Sequence, residues 1–284
     1  MIFRRKQDTY VTCRDRDDGG GAQISACIST MIYARLKGIR YAHTPLIEVA
    51  HRPDGISPAA WAHQWESFFS LGDGEVTADE LSPIKEHRLE KPHRQRPRTS
   101  RLNVVAHCQK VSNQHPEQWS ELAPELRRKY SLNPKPALAE TPSDRKTIAV
   151  HLRRGDVSSS GQFSERFTPI EKLLPPLRAI LENQSDAQVH LYSQGKPEDF
   201  REFAEFEPVW HLDEEVFTSF HGMVQADVLF TAKSTFSYLA AVLRQGATIY
   251  EPFWHPALPG WINLETKPSQ MAQQVQRAFE ITGG

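Results

Sequence analysis

The sequence predicts an α/β protein of two domains facing a cleft. Three observations carry that expectation. Short runs of β-branched and apolar residues alternate with segments whose apolar residues recur at helical spacing, the layering of parallel sheets. The alternation breaks at 131–146 (SLNPKPALAETPSDRK), a linker with three prolines and no periodicity. The length of 284 residues suits one large domain or two small ones at about 150 residues each. The domains expected are 1–140 and 141–284.

In the first domain, TYVTCRD (9–15) reads as a strand and DDGGGAQ (17–23) as a glycine-rich turn. QISACISTMIYARLK follows as a helix, with Ile24, Ile28, Ile32 and Leu36 on one stripe. Gly38 ends it, and IRYAH (39–43) is the next strand. AWAHQWESFFSL (60–71) is an aromatic-rich helix. Residues 85–101 hold seven Lys/Arg and two Pro with almost nothing apolar, and read as a solvated loop. LNVVAHC (102–108) is a buried strand, and PEQWSELAPELRRKY (116–130) a helix with an interior proline.

The second domain is cleaner. Strands are expected at 147–152, 187–193, 226–232 and 247–251, and helices at 197–206 and 234–243. Thr168-Pro169 is expected to cap a helix through Asn183. Met271, Val275, Ala278 and Phe279 stripe a terminal helix that is free to pack back on the first domain. This half reads as Rossmann-like.

Composition excludes several classes. Lys+Arg number 34 and Asp+Glu 35, so a net charge of −1 gives no global pull toward nucleic acid. A hydrophobic fraction of 39% is enough for a core and excludes a mostly disordered chain. Cys13, Cys27 and Cys108 form no CxxC, so neither a disulfide scaffold nor a thiolate zinc site is expected, and a reducing compartment fits. No apolar run approaches the ~20 residues of a membrane helix. No apolar stretch follows MIFRRKQDTY as in a signal peptide. The expectation is a cytoplasmic protein whose membrane contact, if any, is peripheral.

Two segments carry chemistry. In IAVHLRRGDV (148–157) a buried strand ends at His151 and two arginines follow. Ligands of open α/β sheets bind at that end of the strand. As the chain leaves the strand, with Gly155 easing the bend, Arg153 and Arg154 can both turn toward one anion, with Asp156 holding one fork. The alternative is a surface ion-pair cluster. In HGMVQADVLFTAKSTFSYLAAVL (221–243) a strand runs into Lys233-Ser234-Thr235-Phe236-Ser237 and then a helix. Hydroxyls and free N–H groups at a helix N-terminus seat an anion, or Ser234 is an ordinary cap.

Together, HxRRGD after a strand and ADxLxxxxSTFSxxAAxL at 226–243 resemble the fucosyltransferases of the α-1,2, α-1,6 and protein O-fucosyl branches. The resemblance implies a GT-B-like fold and GDP-fucose as donor. It implies that His151, Arg153, Arg154, Asp156, Ser234, Thr235 and Ser237 bind the nucleotide sugar. The glycine turn, with Gly20, Gly21 and Gln23, would line the same cleft. The chain reads GGGAQ (19–23) where the α-1,2 branch has Gly-Gly-x-Gly-Asn-Gln, and Ser219 where the α-1,6 branch has an acid.

The remaining signals are local. Ser193-Gln194-Gly195 at a strand end can present polar groups to a base or ribose, or is a plain turn. Asp15-Arg16-Asp17 spells a metal-binding DxD, but too early for a nucleotide-binding unit to precede it. No metal site and no cofactor are expected, a GDP-sugar being a substrate. Inverting transfer needs a group to take the acceptor's proton. Asp17, Asp18, Glu48, His51 and Glu66 are candidates, with Glu48 and His51 foremost; Arg153 and Arg154 would stabilise the departing diphosphate. The function expected is transfer of fucose from GDP-fucose to a saccharide or other hydroxyl acceptor, inverting and metal-independent. The alternatives are another nucleotide sugar on the same fold, or a non-catalytic nucleotide or polyanion binder working through 85–101.

Overall fold

A parallel β-sheet organises each of two units, Met1–Pro134 and Lys135–Gly284. The structure, a computed structural model, describes residues 9–82, 84–138, 145–184 and 186–282. Of the linker expected at 131–146, residues 139–144 lie outside the described residues.

In the first unit β1 (Tyr10–Cys13) is buried throughout, as an apolar strand covered on both faces must be. It leads into α1 (Gly20–Lys37), β2 (Arg40–His43), α2 (Pro58–Phe69), β3 (Val76–Thr77), β4 (Glu86–Arg88), β5 (Leu102–Val105), α3 (Gln109–Ser112) and α4 (Pro116–Tyr130). The strands lie in the order β3-β2-β1-β5-β4, every pair parallel. Ile24, Ile28 and Ile32 of α1 are buried as their spacing requires. So are Ser25, Ala26, Ser29 and Thr30 between them, because small residues let the helix be enclosed on every side. Ser29 and Thr30 hydroxyls donate back to the Ala26 carbonyl, each at 2.8 Å. Gly38 ends α1 at φ +60°, the left-handed cap. Trp61, Trp65, Phe68 and Phe69 form the buried face of α2, with Phe68 edge-on to Tyr130 of α4 at 5.3 Å.

One expectation here is corrected. Residues 85–101 are not all loop: Glu86, His87 and Arg88 pair with Leu102, Asn103 and Val104, and Leu89 is buried. β4 is an edge strand held by its backbone ladder, so its polar side chains show no alternation to read.

The second unit runs β6 (Thr147–His151), α5 (Leu174–Asn183), β7 (Gln188–Ser193), β8 (Val209–Leu212), α6 (Val216–Gln225), β9 (Val228–Phe230), α7 (Thr235–Leu243), β10 (Ala247–Tyr250), β11 (Ile262–Asn263) and α8 (Pro268–Thr282). Its sheet order is β11-β10-β9-β6-β7-β8, again all parallel. Leu177 and Ile180 of α5 and Met271 and Val275 of α8 share one core with Ile148, Val150 and Ile249. The terminal helix therefore packs into its own unit. Thr168 caps no helix; a 3-10 turn spans Ile170–Lys172, and α5 starts at Leu174 with a proline in its first turn. Segment 197–206 is two 3-10 turns joined across Phe200, not an α-helix. Among the described residues no helix is long and apolar enough to cross a membrane.

Candidate functional site

Numbered within the second unit, β6 to β11 are strands one to six, and they lie in the order 3-2-1-4-5-6 read from the β8 edge. That is the doubly wound order, and it reverses direction between β6 and β9. Ligands of such sheets bind outside the carboxyl ends of the strands at that reversal. β6 runs out there into Leu152-Arg153-Arg154-Gly155-Asp156, and β9 into Thr231–Ser234 and α7.

Arg153 bridges the two. Its Nε and Nη2 donate to Asp156 Oδ1 and Oδ2 at 3.1 and 2.5 Å, a fork on a carboxylate. Its Nη1 reaches Ser234 Oγ at 3.5 Å. Ser234 is the N-cap of α7, accepting from Phe236 N at 3.3 Å. Ser237 is fully buried and its Oγ accepts from Ala232 N at 3.1 Å, closing the turn that aims the helix. Thr235 Oγ1 is 3.3 Å from His255 Nε2. Burial pushes the His255 pKa down to about 4, so the ring is neutral near pH 7.

Arg154 takes partners different from those of Arg153. It donates to the Arg153 and Thr168 carbonyls at 2.9 and 3.0 Å, and its guanidinium lies 4.1 Å from the Phe167 ring centroid. The planar cation is drawn to an aromatic face and two carbonyls that the loop offers. His151 is neutral too: burial and then the two arginines lower its pKa to about 3, and its Nδ1 is buried with no partner.

Beside the reversal lies a cavity of about 390 Å³ lined by Arg154, Gly155, Gln194, Asp199, Phe200 and Asp213, among others. Gly155 has φ +78°, a left-handed backbone that favours glycine, and a Cβ there would stand 2.2 Å from Gln194 Oε1 and displace that side chain. Ser193 Oγ donates to the Leu152 carbonyl at 2.8 Å and ties the exits of β6 and β7 together. Asp199 and Asp213 accept from Lys196 N and Gly195 N. Sequence reading missed both, since each looks like an ordinary cap residue. It also missed Glu251, a buried carboxylate at the end of β10 that holds Lys172 at 3.0 Å and Lys233 at 3.6 Å.

In the first unit the glycine turn meets residues 48–51. Gly19 is the N-cap of α1, and a Cβ on Gly20 would stand 2.2 Å from the Trp65 ring. Gln23 is 2% exposed and donates to the Asp18 and Glu48 carbonyls, both at 2.7 Å. Its amide stitches the two segments together. Glu48 and His51 are exposed; His51 has φ +59° and its ring packs on Gly19. Asp18 is forked by Arg16, and Asp17 is exposed. Asp15 pairs with Arg88 and Arg14, not with Asp17 as a metal-binding pair. Glu66 accepts from Leu46 N at 2.7 Å and pairs with His43 at 3.0 Å. Burial opposes the charge on His43, but Glu66 outweighs it and the pKa is raised. Among the described residues no group of three or more His, Cys, Asp or Glu is placed to hold a metal ion.

No protein-family model matches the chain, and no curated protein does. Solved structures with a similar chain path include the following three. POFUT1 in complex with GDP-fucose is 16% identical, TM-score 0.45, over 90% of this chain and 99% of that one. The α-1,6-fucosyltransferase NodZ soaked with GDP-fucose is 11% identical, TM-score 0.40, over 88% and 97%. The E. coli heptosyltransferase WaaC with ADP-2-deoxy-2-fluoro heptose is 16% identical, TM-score 0.42, over 96% and 99%.

Proposed function

We propose that this chain is a GT-B-type glycosyltransferase that transfers fucose from GDP-fucose, with inversion, to a saccharide or other hydroxyl acceptor. The observation that carries the reading is the Arg153–Ser234 contact across the β6/β9 reversal. A diphosphate seated there accepts from Nη1 of Arg153 and from the first amides of α7. Asp156 holds the guanidinium in place before any ligand arrives. The acceptor oxygen bonds to the anomeric carbon as the bond to the diphosphate breaks on the opposite face. Negative charge grows on the leaving diphosphate, so these donors bind the transition state more tightly than the substrate. The acceptor's proton passes to a base, for which we nominate the exposed Glu48 and His51.

The motif resemblance supports GDP, and so does the cavity. A carboxylate accepts from two adjacent N–H groups, which guanine offers at N1 and N2 and uracil lacks. Asp199 and Asp213 supply such carboxylates. A thermal-shift comparison tests the reading. GDP should raise the melting temperature, by about 2.7 kcal/mol of stability at 100 times Kd, and UDP should not. Equal shifts, or none with GDP, would remove it.

A further inference from the structure

A second cavity, of about 340 Å³, lies wholly in the first unit. It is formed by the segments that follow β4 and β5, parallel neighbours, and so sits at the carboxyl edge of that sheet. Lys91, His93, Arg94, His107 and Lys110 line it, with one acid, Glu90. Glu90 is already taken by Arg88 Nε at 2.9 Å. Lys91, Arg94 and Lys110 form no ion pair among the described residues. Three uncompensated cations and two histidines therefore share one concavity in a chain whose net charge is −1. A concave wall of one sign concentrates the opposite charge.

Desolvation, then Lys110, Arg94 and Lys91, lowers the pKa of His93. Desolvation, then Arg16 and Lys110, lowers that of His107 against the pull of Asp18. Both rings thus sense the same positive field. One carboxylate would satisfy one cation, whereas a phosphoryl dianion has terminal oxygens enough for several. The lining holds no Phe, Tyr or Trp, so the stacking platform of a single-stranded nucleic-acid site is missing.

We propose that this basin binds the phosphoryl group of a small ligand, which, resting on the transferase reading, is the acceptor. The test follows His93 and His107 by NMR pH titration of the whole chain, with inorganic phosphate against chloride at equal ionic strength. Bound phosphate should raise both histidine pKa values. Lys91→Ala, Arg94→Ala and Lys110→Ala should each weaken phosphate binding about tenfold, the size of one charge-assisted hydrogen bond. All three side chains are exposed, so the fold should stand. A charge-matched triple at the other edge of the sheet, Lys37→Ala, Arg40→Ala and Arg101→Ala, should leave binding unchanged. Glucose 1-phosphate and phosphatidic-acid vesicles, added separately, decide whether the group arrives on a sugar or on a lipid, and a response to either upholds the basin. No histidine response, a loss in the control triple, or a response to an oligonucleotide alone overturns it. A response abolished by Arg153→Ala also overturns it, because the anion then sits in the second unit. Basin binding without GDP binding sinks the transferase reading and the acceptor assignment while the phosphoryl site stands.

Discussion

Arg153 points Nε and Nη2 at Asp156, which leaves Nη1 as the edge turned toward the start of α7. Arg154, one residue on, is held by two carbonyls and the Phe167 ring. Their substitutions should therefore separate. Arg153→Ala should weaken GDP binding by about 1.5–3 kcal/mol, with a larger loss in kcat/KM and little change in urea midpoint. Lys should restore only part, because a point charge cannot reproduce the fork. Arg154→Ala should lower the urea midpoint more than GDP affinity, since it removes a brace of the 167–168 loop. Calorimetric GDP titration and urea melts of both variants check this; equal losses of affinity would place both guanidinia on the phosphates. The sequence showed where the arginines leave the strand, because a charged pair after an apolar run must turn outward. It could not show which neighbour each would take, because Thr168 and Ser234 reach them only through the fold.

At the scale of elements, the glycine run is half capping and half packing. Gly19 caps α1, and Gly20 has no room for a Cβ against Trp65 of α2. Gly20→Ala should cost about 1–3 kcal/mol through overpacking, read as a lower urea midpoint. An unchanged midpoint would mean that α2 shifts freely. A glycine demanded by a tryptophan more than forty positions later is invisible to local reading. The same limit hid β4, whose three polar side chains give no period, and β11, only two residues long. The long buried strands and α1 were legible because continuous apolar runs and a helical stripe state their burial directly.

For the molecule as a whole, buried histidines set the response to acid. Unfolded, His151, His190 and His255 take up protons near 6.5; folded, burial holds them to about 3, 4 and 4, helped at His151 by Arg153 and Arg154 and at His190 by His211. The unfolded chain binds more protons between those values, so stability falls as pH falls, by about 1.4 kcal/mol per unit for each fully titrating group. His43 works in the opposite sense: its pKa is raised, so its contribution is full at low pH and lost as pH rises through the folded value. Three groups outweigh one, and the urea midpoint should drop between pH 7 and pH 4.5; a flat profile would show the three rings hydrated. Turnover, on the transferase reading, should persist in EDTA, since Arg153 and the α7 terminus supply the positive charge. Activity lost in EDTA and restored by Mn²⁺ would contradict that. The all-parallel sheets also govern how the chain is made. β1 has β2 on one side, but its other neighbour, β5, is encoded only at 102–105. β6, at 147–151, must likewise await β9 at 228–230. During synthesis each central strand stays open along one edge while its partner is still inside the ribosome. The first unit waits the longer, so that nascent edge is where a chaperone has most to protect.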